Sequence, residues 1–176
     1  MLDFWKAAGP KLWYAKDAAF DDRFRAAFAD AHMAAARRAL DDWMETADGA
    51  LALMILLDQY PRNSFRGTGH SFATDALALS FARDAVARGY LDATEAELRQ
   101  FFLTPYEHSE RLEDHDALRT LLAQGLGVAL PDVDRFAVIH RDIIVRFGRF
   151  PHRNKALGRE TTAEEQAFLD EGGFAG

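Results

Sequence analysis

The chain is predicted to be all-α, a single domain spanning residues 1–176 and made of seven or eight packed antiparallel helices. Apolar residues recur at spacings of three and four along most of its length, and Ser/Thr-x-x-Glu caps open two of the stretches. No segment alternates strongly enough to read as a strand; the Val/Ile-rich stretch 138–145 fits a helical period better. A chain of this length buries roughly 70% of its unfolded surface. It shows no linker, no low-complexity segment and no fixed repeat of about 33–47 residues.

Phe20, Phe24 and Phe28 repeat at i, i+4 and i+8, and Met33, Ala36, Leu40 and Trp43 continue the apolar face, so one helix is expected through this region. Asp48-Gly49 precedes Leu51-Ala52-Leu53-Met54-Ile55-Leu56-Leu57, and Asp is a favoured N-cap because its carboxylate accepts a backbone N–H. That helix is apolar nearly all round and should be central. Pro61 is expected to stop it, with a loop to about His70. Ser71 or Thr74 opens a helix through Leu77, Phe81 and Val86 that ends near Gly89.

Thr94-Glu95-Ala96-Glu97 fits a capping box for a short helix to Phe102, closed before Pro105. A helix from about Glu107, capped by Glu107 or Ser109, should reach Gln124 and stop at Gly125 and Gly127. Pro131-Asp132 starts the next one. Its face carries Val133, Phe136, Ala137, His140, Ile143, Ile144 and Phe147, so His140 is expected to be buried. Thr161-Thr162-Ala163-Glu164-Glu165 opens a short terminal helix. Leu53, Leu56, Leu57, Phe81, Phe136, Ile143 and Phe147 are the expected core.

Composition narrows the function. The longest apolar run, Ala50 to Leu57, is eight residues, far short of the roughly 20 needed to span a bilayer, so no membrane partner is expected. The N-terminal residues show no signal-peptide pattern, and a cytoplasmic location is expected. With no Cys, thiolate chemistry and Cys-bound metal are excluded. The net charge of −7 is uneven: residues 140–159 hold six cations against Asp142, a net +5, which leaves −12 elsewhere. Residues 92–116 hold eight acids against Arg99 and Arg111. An acidic chain repels polyanions at long range, so no nucleic acid is expected, whereas a local basic patch suits a small anion or pairs with the acidic segment.

Two loops carry similar chemistry: Asp58-Gln59-Tyr60-Pro61-Arg62-Asn63 and Phe147-Gly148-Arg149-Phe150-Pro151-His152-Arg153-Asn154. Each runs from an apolar helix through an aromatic-Pro step to Arg-Asn, residues with planar, directional hydrogen-bonding groups. If they converge, Arg62, Asn63, Arg66, Arg149, Arg153 and Asn154 would bind a carboxylate or phosphate. His108, His140 and His152 are then the proton-transfer candidates. The bland reading of His140 is a satisfied core imidazole. Asp58 lies at a helix C-terminus, opposed by the dipole, and reads as a structural clamp onto an arginine. Gly148 would allow close approach to a ligand or simply end the helix. His108 and His115 share a helix face but show no HExxH or other metal spacing, so no metal site is expected; no cofactor motif is present either.

At these residues the chain resembles the bacterial domain of unknown function family 924. The likeness runs through Phe20-Asp21, Trp43, Leu51 to Asn63, Phe65-Arg66-Gly67-Thr68, Phe72-Ala73-Thr74-Asp75, Pro105 to Glu110 and His140 to Arg159. It implies an all-helical, tetratricopeptide-like superhelical arrangement and implies no activity. Three readings therefore stand: a small-anion pocket, with or without catalysis; a non-catalytic peptide- or protein-binding module of the helical-pair kind; and motifs that only fix corners of the fold.

Overall fold

A computed structural model describes residues 1–125 and 131–174. Every regular element among them is helical: α1 (Leu2–Ala8), α2 (Pro10–Trp13), α3 (Ala18–Ala36), α4 (Ala47–Met54), α5 (Tyr60–Ser64), α6 (Asp75–Ala87), α7 (Gln100–Glu107), α8 (Leu112–Ala123), α9 (Pro131–Phe147) and α10 (Ala163–Asp170). From α4 onward, helices pack largely against their neighbours in sequence, α6 on α4, α7 on α6, α8 on α7 and α9 on α8, the superhelical arrangement of helical pairs. No helix among the described residues is long and apolar enough to cross a membrane.

The N-terminal aromatic segment forms two short helices, α1 and α2. Trp5 and Trp13 stack with centroids 6.1 Å apart, Trp13 Nε1 donates to Trp5 O, and Phe101 meets both rings edge-on. Asp17 caps α3 by accepting from Phe20 N at 2.8 Å, and Phe20 and Phe24 are buried. The expected continuation of that helix to Trp43 fails. Arg38 takes a left-handed φ of 63°, Met33 is 43% exposed, and a 3₁₀ turn covers Asp41–Glu45. The cap of α4 is Thr46, not Asp48, with Thr46 Oγ1 accepting from Gly49 N. A Cβ on Gly49 would lie 2.1 Å from Trp43 O, so glycine is required there.

The largest correction concerns Pro61. The helix does not stop but widens through a π-turn, Ile55–Gln59, in which Tyr60 N donates to Ile55 O, and continues as α5 to Ser64. Pro61 has no N–H for the carbonyl four residues back, Leu57, and its ring crowds that carbonyl. Side chains serve the carbonyls of this turn instead. His32 Nδ1 donates to Leu56 O (2.9 Å), Thr74 Oγ1 to Leu57 O (2.5 Å) and Arg62 Nη1 to Asp58 O (2.7 Å). The helix survives because three other side chains complete its hydrogen bonding.

Helix α6 follows Thr74 as expected, and Gly89 lies just past its end with a φ of 72°. The Thr94 box does not form: its hydroxyl donates to Tyr90 O, and a 3₁₀ turn over Ala96–Leu98 leads into α7, which contains Pro105 in its interior. Consequently Glu107 ends α7 instead of opening the next helix; α8 begins at Leu112, with Ser109 Oγ accepting from Arg111 N ahead of it. Gly125 has a φ of 82°, and Gly127 lies outside the described residues. Gly148 (φ 68°) ends α9 and a Cβ there would meet open space, so its role is conformational. Thr162 and Glu165 complete the expected capping box of α10.

Leu53, Leu56, Leu57, Phe81 and Ile143 are buried, whereas Phe136 is 37% exposed and Phe147 half-buried. The side chain of Val133 lies outside the described residues.

Candidate functional site

The two Arg-Asn motifs, the first in α5 and the second after α9, meet at the N-terminus of α6. Asp75, in the first turn of that helix where the dipole favours a carboxylate, accepts Arg62 Nη1 and Nη2 at 2.9 and 3.0 Å, and Arg153 Nη1 at 3.0 Å. Arg153 is 5% exposed and stands between the rings of Phe72 and Phe150, with its guanidinium carbon 4.6 and 4.5 Å from their centroids. Its Nη2 donates to His108 O at 3.0 Å. Burial and the adjacent Arg62 push the Arg153 pKa down to about 10 despite Asp75.

The asparagines turn the other way and build a matched pair of clamps. Asn63 Nδ2 donates to Asp21 (2.9 Å), which Arg66 also holds through Nε and Nη2 (2.7 and 3.1 Å). Asn154 Nδ2 donates to Glu165 (3.2 Å), held in turn by Arg149 Nε and Nη2 (2.6 and 2.8 Å). Each motif therefore sends its arginine to the shared Asp75 and its asparagine to a carboxylate already gripped by a second arginine. The guanidinium of Arg149 holds the Glu165 carboxyl down at about 2. Arg159 adds a further bidentate pair to Glu110 (2.7 and 3.0 Å), which also accepts Phe150 N at 2.8 Å.

Asp58 is fully buried in the π-turn, where its carboxylate accepts three hydrogen bonds and faces Arg62 as an ion pair. His108 Nδ1 (2.7 Å) and Arg62 Nη1 (3.1 Å) reach Oδ1, while Gln59 Nε2 (2.6 Å) and Thr104 Oγ1 (3.0 Å) reach Oδ2. Burial alone would raise its pKa, but Arg62 and His108 outweigh burial and hold it well below the usual carboxylate range. Arg62 is the arginine that pairs with Asp58, and the histidine on the same oxygen is the partner that spacing did not reveal. Burial, reinforced by Arg62 and opposed by Asp58, lowers the His108 pKa.

The three candidate histidines come together. The His108 and His140 rings lie edge to face at 6.1 Å, and Phe174 stands edge-on to His140 (4.5 Å) and His152 (5.4 Å). His140 is 5% exposed, and its Nδ1 lies 3.5 Å from Glu107 Oε2. Burial, then Arg153 and the other cations and imidazoles, push the His152 pKa down to about 3. Four buried polar atoms of this cluster have no hydrogen-bond partner among the described residues: Arg153 Nε, His152 Nδ1, His140 Nδ1 and Glu107 Oε1. His115 borders the same cluster, its ring 6.4 Å from that of Phe150, with its Nε2 on Ser109 O at 2.8 Å and its buried Nδ1 also without a partner among the described residues. No three metal-ligating side chains converge among the described residues. Two grooves lie elsewhere, one lined by Met1, Leu2, Asp42 and Trp43, the other by Asp22, Arg25, Asn63 and Arg66.

Sequence reasoning missed the acids: Asp75, Asp21, Glu110 and Glu165. Only Glu165 left a local signal, as the third residue of the capping box, and that signal concerned its helix, not its arginine.

A solved structure of a protein of unknown function from Agrobacterium tumefaciens is similar to this chain at 53% identity and a TM-score of 0.91, covering 97% of this chain and 94% of the other. No curated protein matches the chain. The family model described as "Bacterial protein of unknown function (DUF924)" matches residues 1–173, and the chain belongs to that family.

Proposed function

We propose that the Arg62, Arg153, His108, His140 and His152 cluster binds a small carboxylate or phosphate. One observation carries this reading: Arg153 Nε and the Nδ1 atoms of His140 and His152 are each buried without a partner among the described residues. Buried polar groups are nearly always paired, because an unmade hydrogen bond costs about 1–3 kcal/mol. An anion supplies acceptors to the arginine donor and to imidazole nitrogens that carry a proton. It also offsets the positive field that depresses His152, because Arg62 and Arg153 share Asp75. Asn63, Arg66, Arg149 and Asn154 act one step removed, through the clamps that fix the two loops.

Every one of the motif arginines already meets a carboxylate, which favours a second reading in which the motifs only fix corners of the fold. A thermal-shift series separates the two. Phosphate, acetate and succinate are compared at constant ionic strength on the wild type, on Arg153→Gln and on His152→Gln. Ligand binding raises stability by RT ln(1 + [L]/Kd), so a selective rise that both variants lose supports the anion site. Equal small responses in all three proteins leave the architectural reading.

A further inference from the structure

We propose that Asp58 and His108 form a proton-accepting dyad, in which Asp58 is the positioning residue and His108 Nε2 takes a proton from a water or ligand hydroxyl. The dyad rests on the anion site only for what it acts upon.

The fully buried Asp58 carboxylate is held by three hydrogen-bond donors and the Arg62 ion pair. It sits in a π-turn, a widened helical turn frequently found at functional sites. Its shortest contact to an ionisable partner is the 2.7 Å bond from His108 Nδ1. That bond puts the imidazole proton on Nδ1 and leaves the Nε2 lone pair free, the arrangement a general base needs. Among the described residues nothing bonds to Nε2, and it is not one of the fully enclosed orphan atoms. The main chain that carries the ring is held as well: Thr104 O accepts the His108 backbone N–H, and Arg153 donates to the His108 carbonyl. The charged groups around the imidazole are Asp58 and Arg62 from the π-turn and α5, Asp75 from α6, and Arg153 from the second loop. His140 of α9 and His152 of the second loop complete the surroundings.

The step balances within these residues. The O–H bond of the water or hydroxyl breaks, its electron pair stays on oxygen, and an N–H bond forms at Nε2. The resulting imidazolium faces the ionised Asp58, and Arg62 and Arg153 offset the new negative charge on oxygen.

Nitrogen-15 NMR of the histidines in the wild type at pH 7 reads the tautomer directly. The dyad requires His108 protonated at Nδ1 and bare at Nε2; a His108 carrying its proton on Nε2 overturns the proposal and needs no variant. Acylation by diethyl pyrocarbonate, mapped by mass spectrometry, reads the reactivity of Nε2. Asp58→Asn, checked for folding by circular dichroism, is expected to move the His108 proton to Nε2 and to slow its acylation at least about tenfold. A folded Asp58→Asn protein with unchanged His108 reactivity also overturns the dyad. Inorganic phosphate in the same reaction tests the anion site separately. If it fails to protect His108 while the tautomer and the Asp58→Asn effect hold, the dyad stands and the anion reading falls.

Discussion

Asp75→Asn is the most informative single change, because one carboxylate neutralises two arginines 91 residues apart in sequence (62 to 153). Asp75 and Arg62 side chains are 16% and 18% exposed and Arg153 only 6%, so solvent cannot replace the lost charge at Arg153. Removing one partner of a buried ion pair typically costs about 3–5 kcal/mol. Arg62 keeps Asp58 at 3.1 Å, so the loss falls mainly on Arg153 and about 3 kcal/mol is expected. For a chain of this size that is a fall in Tm of about 6–12 °C. Urea unfolding supplies the free energy, and Asp75→Asn combined with Arg153→Gln supplies the coupling. The double variant should lose about 1 kcal/mol or more less than the sum of the single losses, because removing Arg153 removes the charge that Asp75 compensates. A cost for Asp75→Asn below about 1 kcal/mol, or strict additivity, would refute the shared-carboxylate account.

Leu56→Ala, at a fully buried position, should cost about 2–5 kcal/mol by transfer and cavity formation; a loss under about 0.5 kcal/mol would place the residue outside the core. Thr74→Val keeps the shape but leaves the Leu57 carbonyl without its hydroxyl donor, for about 1–3 kcal/mol in urea unfolding. In a Pro61→Ala background the restored N–H can serve that carbonyl, so the same change should cost less; an equal cost in both backgrounds contradicts the account of the π-turn. Burial lowers the pKa of His32, His108, His115 and His152, so the unfolded chain binds more protons below about pH 6.5 and stability falls as pH drops through that window. With a folded value of about 3, His152 alone contributes a slope approaching 1.4 kcal/mol per pH unit, a loss of about 2 kcal/mol between pH 7 and 5. Urea unfolding at the two pH values should show at least that loss, and a weaker dependence in His152→Gln; stability that is flat over this range contradicts the burial of neutral imidazoles.

What could be read from sequence was local. The cap of α10 depends on residues three apart, and the stripe that buries His140, Ile143 and Ile144 depends on the helical period, so both were legible. The resemblance of the two Arg-Asn loops was also legible, and Arg62 and Arg153 do meet. What they meet was not. Asp75, Asp21 and Glu165 are ordinary helix-entry acids by their neighbours, and only the packing of α3, α6 and α10 brings arginines to them. The prolines show the same division between local and tertiary information. By local rules Pro61 ends a helix, since it removes a donor and crowds a carbonyl. The chain continues because His32, Arg62 and Thr74, from α3, α5 and the residue preceding α6, supply donors to three successive carbonyls. The same widened turn carries Asp58 and leads into Arg62, so the residues that let the helix pass Pro61 also set the carboxylate on which His108 rests. A helix-stop rule applied to this stretch misplaces the boundary and hides the site for one reason: the helix depends on His32, 24 residues from the carbonyl it serves, and the site on His108, 50 residues from Asp58.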